Sequence, residues 1–163
     1  MHIRVATPDD FDAIWPIFNE IVGAGETYAY DPKTTKHQAH SIWLEAPNKT
    51  YVAEQDGQIV GTYYVKTNQK GPGAHVCNCG YMVAPFARGK GIATLMCEHS
   101  QAQALSLGYK AMQFNFVAAT NVGAVSLWQK LGFNTVGRLP KAFCHPKQGF
   151  VDALVMFKWL ANE

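Results

Sequence analysis

Between Tyr81 and Met96 the chain reads YMVAPFARGKGIATLM. A strand-like run passes Pro85 and enters a helix that opens on Arg88-Gly89-Lys90-Gly91. Two glycines at a helix start are unfavourable unless the backbone must take φ > 0 or let another group come close. A strand feeding directly into a helix N-terminus gathers free N–H groups and the positive end of the helix dipole at one point, which suits an anion. Glycine there lets phosphate oxygens reach main-chain nitrogens, and Arg88 and Lys90 add charge on either side of Gly89. A basic surface turn would use the same glycines, so the neighbouring elements have to decide between the two. Two nucleotide-binding loops are excluded. A Walker-type loop needs GxxxxGK followed by Ser or Thr, which Gly91-Ile92 does not supply. A dinucleotide fingerprint needs Gly or Ala where Thr94 stands.

HIRVAT reads as a first strand, and Thr7-Pro8-Asp9-Asp10 as a helix start with an N-cap, a Pro at the first position and acids in the first turn. Phe11, Ile14, Trp15, Phe18, Ile21 and Val22 then give that helix one apolar face, with Pro16 inside it. A short helix is predicted over 34–45. TYVAEQ and QIVGTYYVKTN flank Asp56-Gly57 as a hairpin. AHVCNCGYMVAP is a further strand, and the segment from Gly91 to Leu107 is a helix whose Ile92, Leu95, Met96, His99 and Ala102 line one face. KAMQFNFVAA is a strand in which Met112, Phe114 and Phe116 share one face and Gln113, Asn115 and Val117 the other. NVGAVSLWQKLGF is a helix with an Asn cap and a Gly stop, bearing Ala124, Leu127, Trp128 and Leu131. Two strands near FNTVGRL and FVDALVMFKW close the chain, joined by a Pro-rich loop LPKAFCHPKQG. The order is β-α-α-β-β-β-α-β-α-β-β. An α/β (α+β) fold follows, a mixed central sheet with helices on both faces.

A length of 163 residues fits a single domain spanning 1–163. The formal charge of +2, with Lys and Arg scattered, gives no basic stripe for a nucleic acid. Asp152 and Lys158 interrupt the most apolar run, so no membrane span is expected, and Asp9 and Asp10 stand where a signal peptide would be apolar. A cytoplasmic location is expected. Cys77, Cys79, Cys97 and Cys144 lack the spacing of a metal site and read as small buried thiols, so no metal is expected. His75 and His145 read as surface histidines.

Arg88-Gly89-Lys90-Gly91-Ile92-Ala93 fits, in every position, the acyl-CoA-binding turn of the GNAT superfamily of N-acetyltransferases, which the chain resembles. Asn121-Val122-Gly123-Ala124 and Leu127-Trp128-Gln129-Lys130-Leu131-Gly132-Phe133 follow in that family's order, and the similarity covers essentially the whole chain. The resemblance implies acetyl-CoA as co-substrate, its pyrophosphate on the amides of Arg88, Gly89, Lys90, Gly91, Ile92, Ala93 and Thr94. It implies the pantetheine beside Met82 and Val83, and further cofactor contacts from Asn121 and Trp128. The fourth and fifth strands should splay to admit the acyl chain, with the Val83 N–H facing the thioester oxygen. Trp128 stands where the family usually has a Tyr, and an indole N–H is no useful acid. A thiol of pKa about 8.5 leaves tolerably as its anion near neutral pH, so a general acid is not obligatory.

FNFVAATNVGAVSLWQKLGF and GRLPKAF further resemble the GNAT subgroup that acetylates azetidine-2-carboxylate and related proline-like acids. GAGETYAYD resembles the substrate loop of small-amino-acid acetyltransferases of the phosphinothricin type. Carried over, Asn115 and Asn121 would be catalytic or substrate residues, Asn78 a carboxylate contact, Tyr28 part of the acceptor pocket, and Glu26 a water-relayed base. For Asn115 and Asn121 the alternatives are a satisfied core amide and a helix N-cap; for Glu26, an exposed loop carboxylate. Trp15, Tyr28, Trp43, Tyr63, Tyr64 and Phe143 divide between core and acceptor wall. The expected enzyme transfers acetyl to a small amino or imino acid in a ternary complex. A polyamine, aminoglycoside or peptide amine is the alternative acceptor, and a non-catalytic acyl-CoA sensor the alternative function. The resemblance also implies a homodimer.

Overall fold

A computed structural model of the chain describes residues 1–162. Seven strands form one sheet in the order β1-β2-β3-β4-β5-β7-β6, where β1 is His2–Val5, β2 Lys49–Gln55, β3 Gln58–Thr67, β4 Val76–Val83, β5 Ala111–Ala118, β6 Asn134–His145 and β7 Gly149–Trp159. Every neighbouring pair is antiparallel except β4 and β5. The helices are α1 (Phe11–Ala24), α2 (Lys36–His40), α3 (Ile92–Ser106) and α4 (Val122–Lys130), and a π-helical turn, Ser41–Glu45, extends α2. The element order is the one expected.

Alternation along β3 shows how the sheet is covered. Tyr64 meets Trp43 edge-on at 4.9 Å, and Trp43 meets Phe18 of α1 at 5.9 Å. Tyr63, pointing the other way, bonds His99 of α3 at 2.6 Å and faces Tyr81. Helices therefore lie on both faces. The α1 side is locked by Trp43, which is fully buried and donates its indole N–H to Thr62 Oγ1 at 3.0 Å. The α3 side is built on Phe114, packed against Phe133 at 4.4 Å and Trp128 at 5.1 Å. Cys77, Cys79 and Cys97 are buried in this core; Cys144 is exposed.

Cys144 thus departs from the burial expected of all four cysteines, because it lies on the edge strand β6, and three further expectations change. The buried face of α3 is Ile92, Met96, Cys97, Ser100 and Ala104, while Leu95 is exposed. Ser100 is accepted on the buried side because Tyr81 and the Cys97 carbonyl both bond it. The predicted loop LPKAFCHPKQG is mostly strand: β6 runs through it to His145. Pro140 is tolerated because β6 is the sheet edge and Pro140 sits in the register break between Leu139 and Phe143. Third, β5 carries a bulge between Phe114 and Val117, which breaks its alternation. Phe116 consequently packs on Phe143 and not with the Phe114 cluster.

Candidate active site

The β4–β5 pairing has only two residues in register, Val76 with Ala111 and Cys77 with Met112. Past Cys77 the strands part while β4 continues to Val83, which leaves one edge of β4 open. The neighbouring ladder tells which backbone groups face that opening. Ala84 donates to the Val60 carbonyl and Asn68 to the Val76 carbonyl, so Met82, Gly80 and Asn78 turn their N–H and C=O groups towards β3. By alternation, those of Cys79, Tyr81 and Val83 face the splay. Met82 lines the cleft although its N–H and C=O groups face β3.

At the end of β4 the chain makes a short 3-10 turn, Pro85–Ala87, and enters the glycine turn. Gly89 and Gly91 sit at φ 74° and 75°, the left-handed region that favours glycine. Gly91 is the N-cap of α3. The first intrahelical bond is Leu95 N–H to the Gly91 carbonyl, so the N–H groups of Ile92, Ala93 and Thr94 have no intrahelical partner. A Cβ at Gly89 or Gly91 would meet no protein atom within 4 Å, so packing does not require these glycines. The arrangement fits a phosphate placed against the helix N-terminus.

A cleft of about 820 Å³ runs from this turn into the splay and out beneath the α1–α2 loop. Glu26, Tyr28, Asn78, Val83, Asn115 and Asn121 all line it. The three asparagines do not join in one ring of amides. Asn78 accepts from Tyr64 Oη at 3.1 Å and donates to the Gln113 carbonyl at 2.9 Å. Asn115, exposed, donates to Asn68 Oδ1 at 2.7 Å and accepts from Gln113 Nε2 at 2.9 Å. Asn121 caps α4, accepting from Ala124 N–H at 3.4 Å. Among the described residues its amide nitrogen has no hydrogen-bond partner, and the residue lines the cleft. Trp128, also lining the cleft, is wedged against Tyr81 at 5.0 Å and Phe114.

The mouth is formed by residues far apart in sequence. Glu26 accepts from Lys147 Nζ at 2.7 Å, joining the α1–α2 loop to the β6–β7 turn. That bond and the lysine charge hold Glu26 below the usual carboxylate range, which weakens it as a base. His145 is buried, in contrast to the surface position expected of it, and its Nδ1 accepts from the N–H groups of Lys147 and Gln148. His75 is exposed, as expected. Tyr28 donates to the Tyr81 carbonyl on the open edge of β4 at 2.8 Å, and burial pushes its phenol well above the ordinary tyrosine value. Of the aromatic set, Tyr28 and Tyr64 line the cleft, whereas Trp43, Tyr63 and Phe143 are buried outside its lining.

Glu20, Thr27 and Tyr30 also line the cleft and were not singled out by the sequence. Glu20 falls one helical turn before Ala24, another lining residue, on the flank of α1 next to its apolar stripe. Tyr30 stacks on Tyr28 with ring centroids 5.5 Å apart. Lys147 had no local signal, because its partner is 121 residues away.

The sequence model of the acetyltransferase (GNAT) family matches residues 11–133. Among solved structures, a GCN5-related N-acetyltransferase from Kribbella flavida is 45% identical, with a TM-score of 0.92 over 98% of this chain and 97% of that one. N-acetyltransferase aca1 of Schizosaccharomyces pombe is 29% identical over 154 residues, 84% of this chain and 74% of that protein. A phosphinothricin acetyltransferase from Sinorhizobium meliloti, solved in complex with acetyl-CoA, shares the fold at a TM-score of 0.85 and 20% identity, over 98% of this chain and 88% of that one.

Proposed function

The chain belongs to the acetyltransferase (GNAT) family, and from that premise we propose that it acts as an acetyl-CoA-dependent N-acetyltransferase on a small amino or imino acid, of the proline-analogue or phosphinothricin type. One observation carries the reading: the glycine turn at the start of α3 and the open edge of β4 share a single cleft, which continues to a separate mouth under the α1–α2 loop. Two reactants can enter from opposite ends and meet at Val83.

Acetyl-CoA supplies the activated acetyl group. The amides from Gly89 to Thr94 hold its pyrophosphate, Arg88 adding its side-chain charge because its own N–H is taken by the Pro85 carbonyl at 3.4 Å, and Met82, Asn121 and Trp128 border the acyl arm. The Val83 N–H, turned into the splay, donates to the oxygen that becomes negative as the amine attacks. A primary or secondary amine has to arrive neutral, so a base need only relay one proton, through water. Asn115 and Asn121 bracket that region and hold acceptor and water. Glu26 serves as the distant end of the relay, a weak base because Lys147 holds its carboxylate down, so water carries the proton away from the amine. With Trp128 in place of a phenol, the thiolate departs without a side-chain acid.

The charge of the mouth supports a zwitterionic acceptor. Glu26 is neutralised by Lys147, so Glu20 is the remaining acid of the lining, a poor match to a polycation. The test is CoA release from acetyl-CoA against proline analogues, amino acids, polyamines and peptides, with native protein and Asn121→Ala. Turnover confined to amino or imino acids and reduced at least tenfold in Asn121→Ala is expected. Turnover of polyamines or peptide termini would overturn the acceptor assignment, and acetyl-CoA binding without any acetylated acceptor would make the protein an acyl-CoA sensor.

A further inference from the structure

The splay between β4 and β5 is held by a side chain. In a parallel ladder, the rungs around Cys77 and Met112 run from Cys77 N–H to the Ala111 carbonyl and from Gln113 N–H to the Cys77 carbonyl. Continued one step, the next rung would join Cys79 N–H to the Gln113 carbonyl. That rung is missing. The Gln113 carbonyl instead accepts from Asn78 Nδ2 at 2.9 Å. We propose that Asn78 is a positioning residue that caps the β4–β5 ladder, keeping the Cys79-to-Val83 edge of β4 from pairing with β5 so that the acyl arm of the co-substrate can lie against it. This rests on the reading that the arm enters the splay.

The orientation of the amide is fixed from both ends. Were it flipped, Oδ1 would face the Gln113 carbonyl, two acceptors in contact; as placed, Oδ1 takes the proton of Tyr64 Oη at 3.1 Å. The residue is 7% exposed, so the arrangement is set inside the protein and not by solvent. Each polar end has a partner within the protein, which gives Asn78 a role in the frame of the cleft beside the carboxylate contact the resemblance implied.

Gly80 supplies an independent observation. A glycine in the interior of a strand weakens it, and Gly80 does not have a positive φ to account for its choice. Its Cα lies under the Tyr64 ring: an added Cβ would stand 2.7 Å from Cε1 and 3.0 Å from Cζ. Only with glycine there does the tyrosine cross β4 closely enough to reach Asn78. Gly80, Tyr64, Asn78 and the Gln113 carbonyl form one chain of contacts ending at the point where the strands separate.

The test compares native protein, Asn78→Ala and Tyr64→Phe in two measurements: backbone amide exchange of Cys79 without ligand, and binding of acetyl-CoA against the nucleotide half of CoA, which has the pyrophosphate but no pantetheine. With Asn78 truncated, the Cys79 N–H takes the Gln113 carbonyl and the slot zips. Cys79 exchange is expected to slow at least tenfold, acetyl-CoA to bind about tenfold more weakly, and the nucleotide half to stay within about twofold, since one buried rung is a modest hydrogen bond. Tyr64→Phe, which keeps the ring, shifts both readouts the same way by less. Unchanged Cys79 exchange in both variants overturns the proposal, as does a parallel loss of both ligands, which would report a damaged site. If native protein fails to bind acetyl-CoA, the functional reading falls while Cys79 exchange still decides the role of Asn78.

Discussion

Replacing Gly91 by alanine separates a structural turn from a phosphate site. At φ 75° an L-residue is strained, costing about 1–2 kcal/mol, and no steric term is added because the new Cβ meets no protein atom within 4 Å. The stability loss on unfolding in urea should therefore stop near that figure. Binding has more to lose: a methyl group at the helix mouth displaces an anion from the amides of Ile92 and Ala93, and a hydrogen bond to a charged group contributes about 1.5–3 kcal/mol. Acetyl-CoA affinity, measured calorimetrically, should fall roughly ten- to a hundredfold. Gly57 is the matched control, at φ 76° in the β2–β3 turn with nothing within 4 Å of its Cβ. Gly57→Ala should lose comparable stability and no affinity. If Gly91→Ala binds acetyl-CoA within about twofold of the native protein while losing stability as Gly57→Ala does, the turn holds no phosphate and the argument from its glycines is wrong.

Two predictions concern the frame around the cleft. Hydrogen bonds from Arg4, with the backbone and hydroxyl of Thr7, pull Asp10 down to about 2. A carboxylate depressed on folding stabilises the native state above its unfolded value and loses that contribution as pH falls towards the folded one. Asp10→Asn should accordingly be less stable than native at pH 7, with the difference vanishing between about pH 4 and 2 in chemical-denaturation curves. Trp43→Ala should cost about 3–5 kcal/mol in the same assay, since it empties a fully buried site and removes the donor to Thr62; a cost under about 1 kcal/mol would mean the α1 face repacks without it.

What could be read in the sequence was the part governed by nearest neighbours. Thr7 and Pro8 announce a 3-10 turn, Pro8–Asp10, that leads into α1, Asp56-Gly57 the β2–β3 hairpin, and Asn121 and Gly132 the two ends of α4, because capping and turn conformations depend on a few adjacent residues. The turn through Gly89 and Gly91 was legible for the same reason, its constraint being a local φ. Failures came where a distant element set the outcome. The edge position of β6, which makes Pro140 harmless, depends on which strand β7 joins on its other side. The bulge at Asn115 and Phe116 reverses an alternation that was regular in the letters.

The cleft divides the same way. Its end at the glycine turn is a contiguous motif, whereas the rest is assembled across the chain: Glu26 with Lys147, Tyr28 with the Tyr81 carbonyl, Asn115 with Asn68. Asn78 and Asn115 line the cleft and Gln113, on the strand of Asn115, does not, and the bonds of Asn78 to the Gln113 carbonyl and of Asn115 to Asn68 join elements that the letters do not bring together. Asn78 shows why. An asparagine that contacts an acceptor and one that ends a ladder occupy the same position in the pattern, and they differ only in whether a carbonyl of the next strand lies within reach. The distinguishing sign was two residues on, in Gly80: a strand interior gives up a side chain when something must lie against the backbone, and here that is the tyrosine holding Asn78 in place.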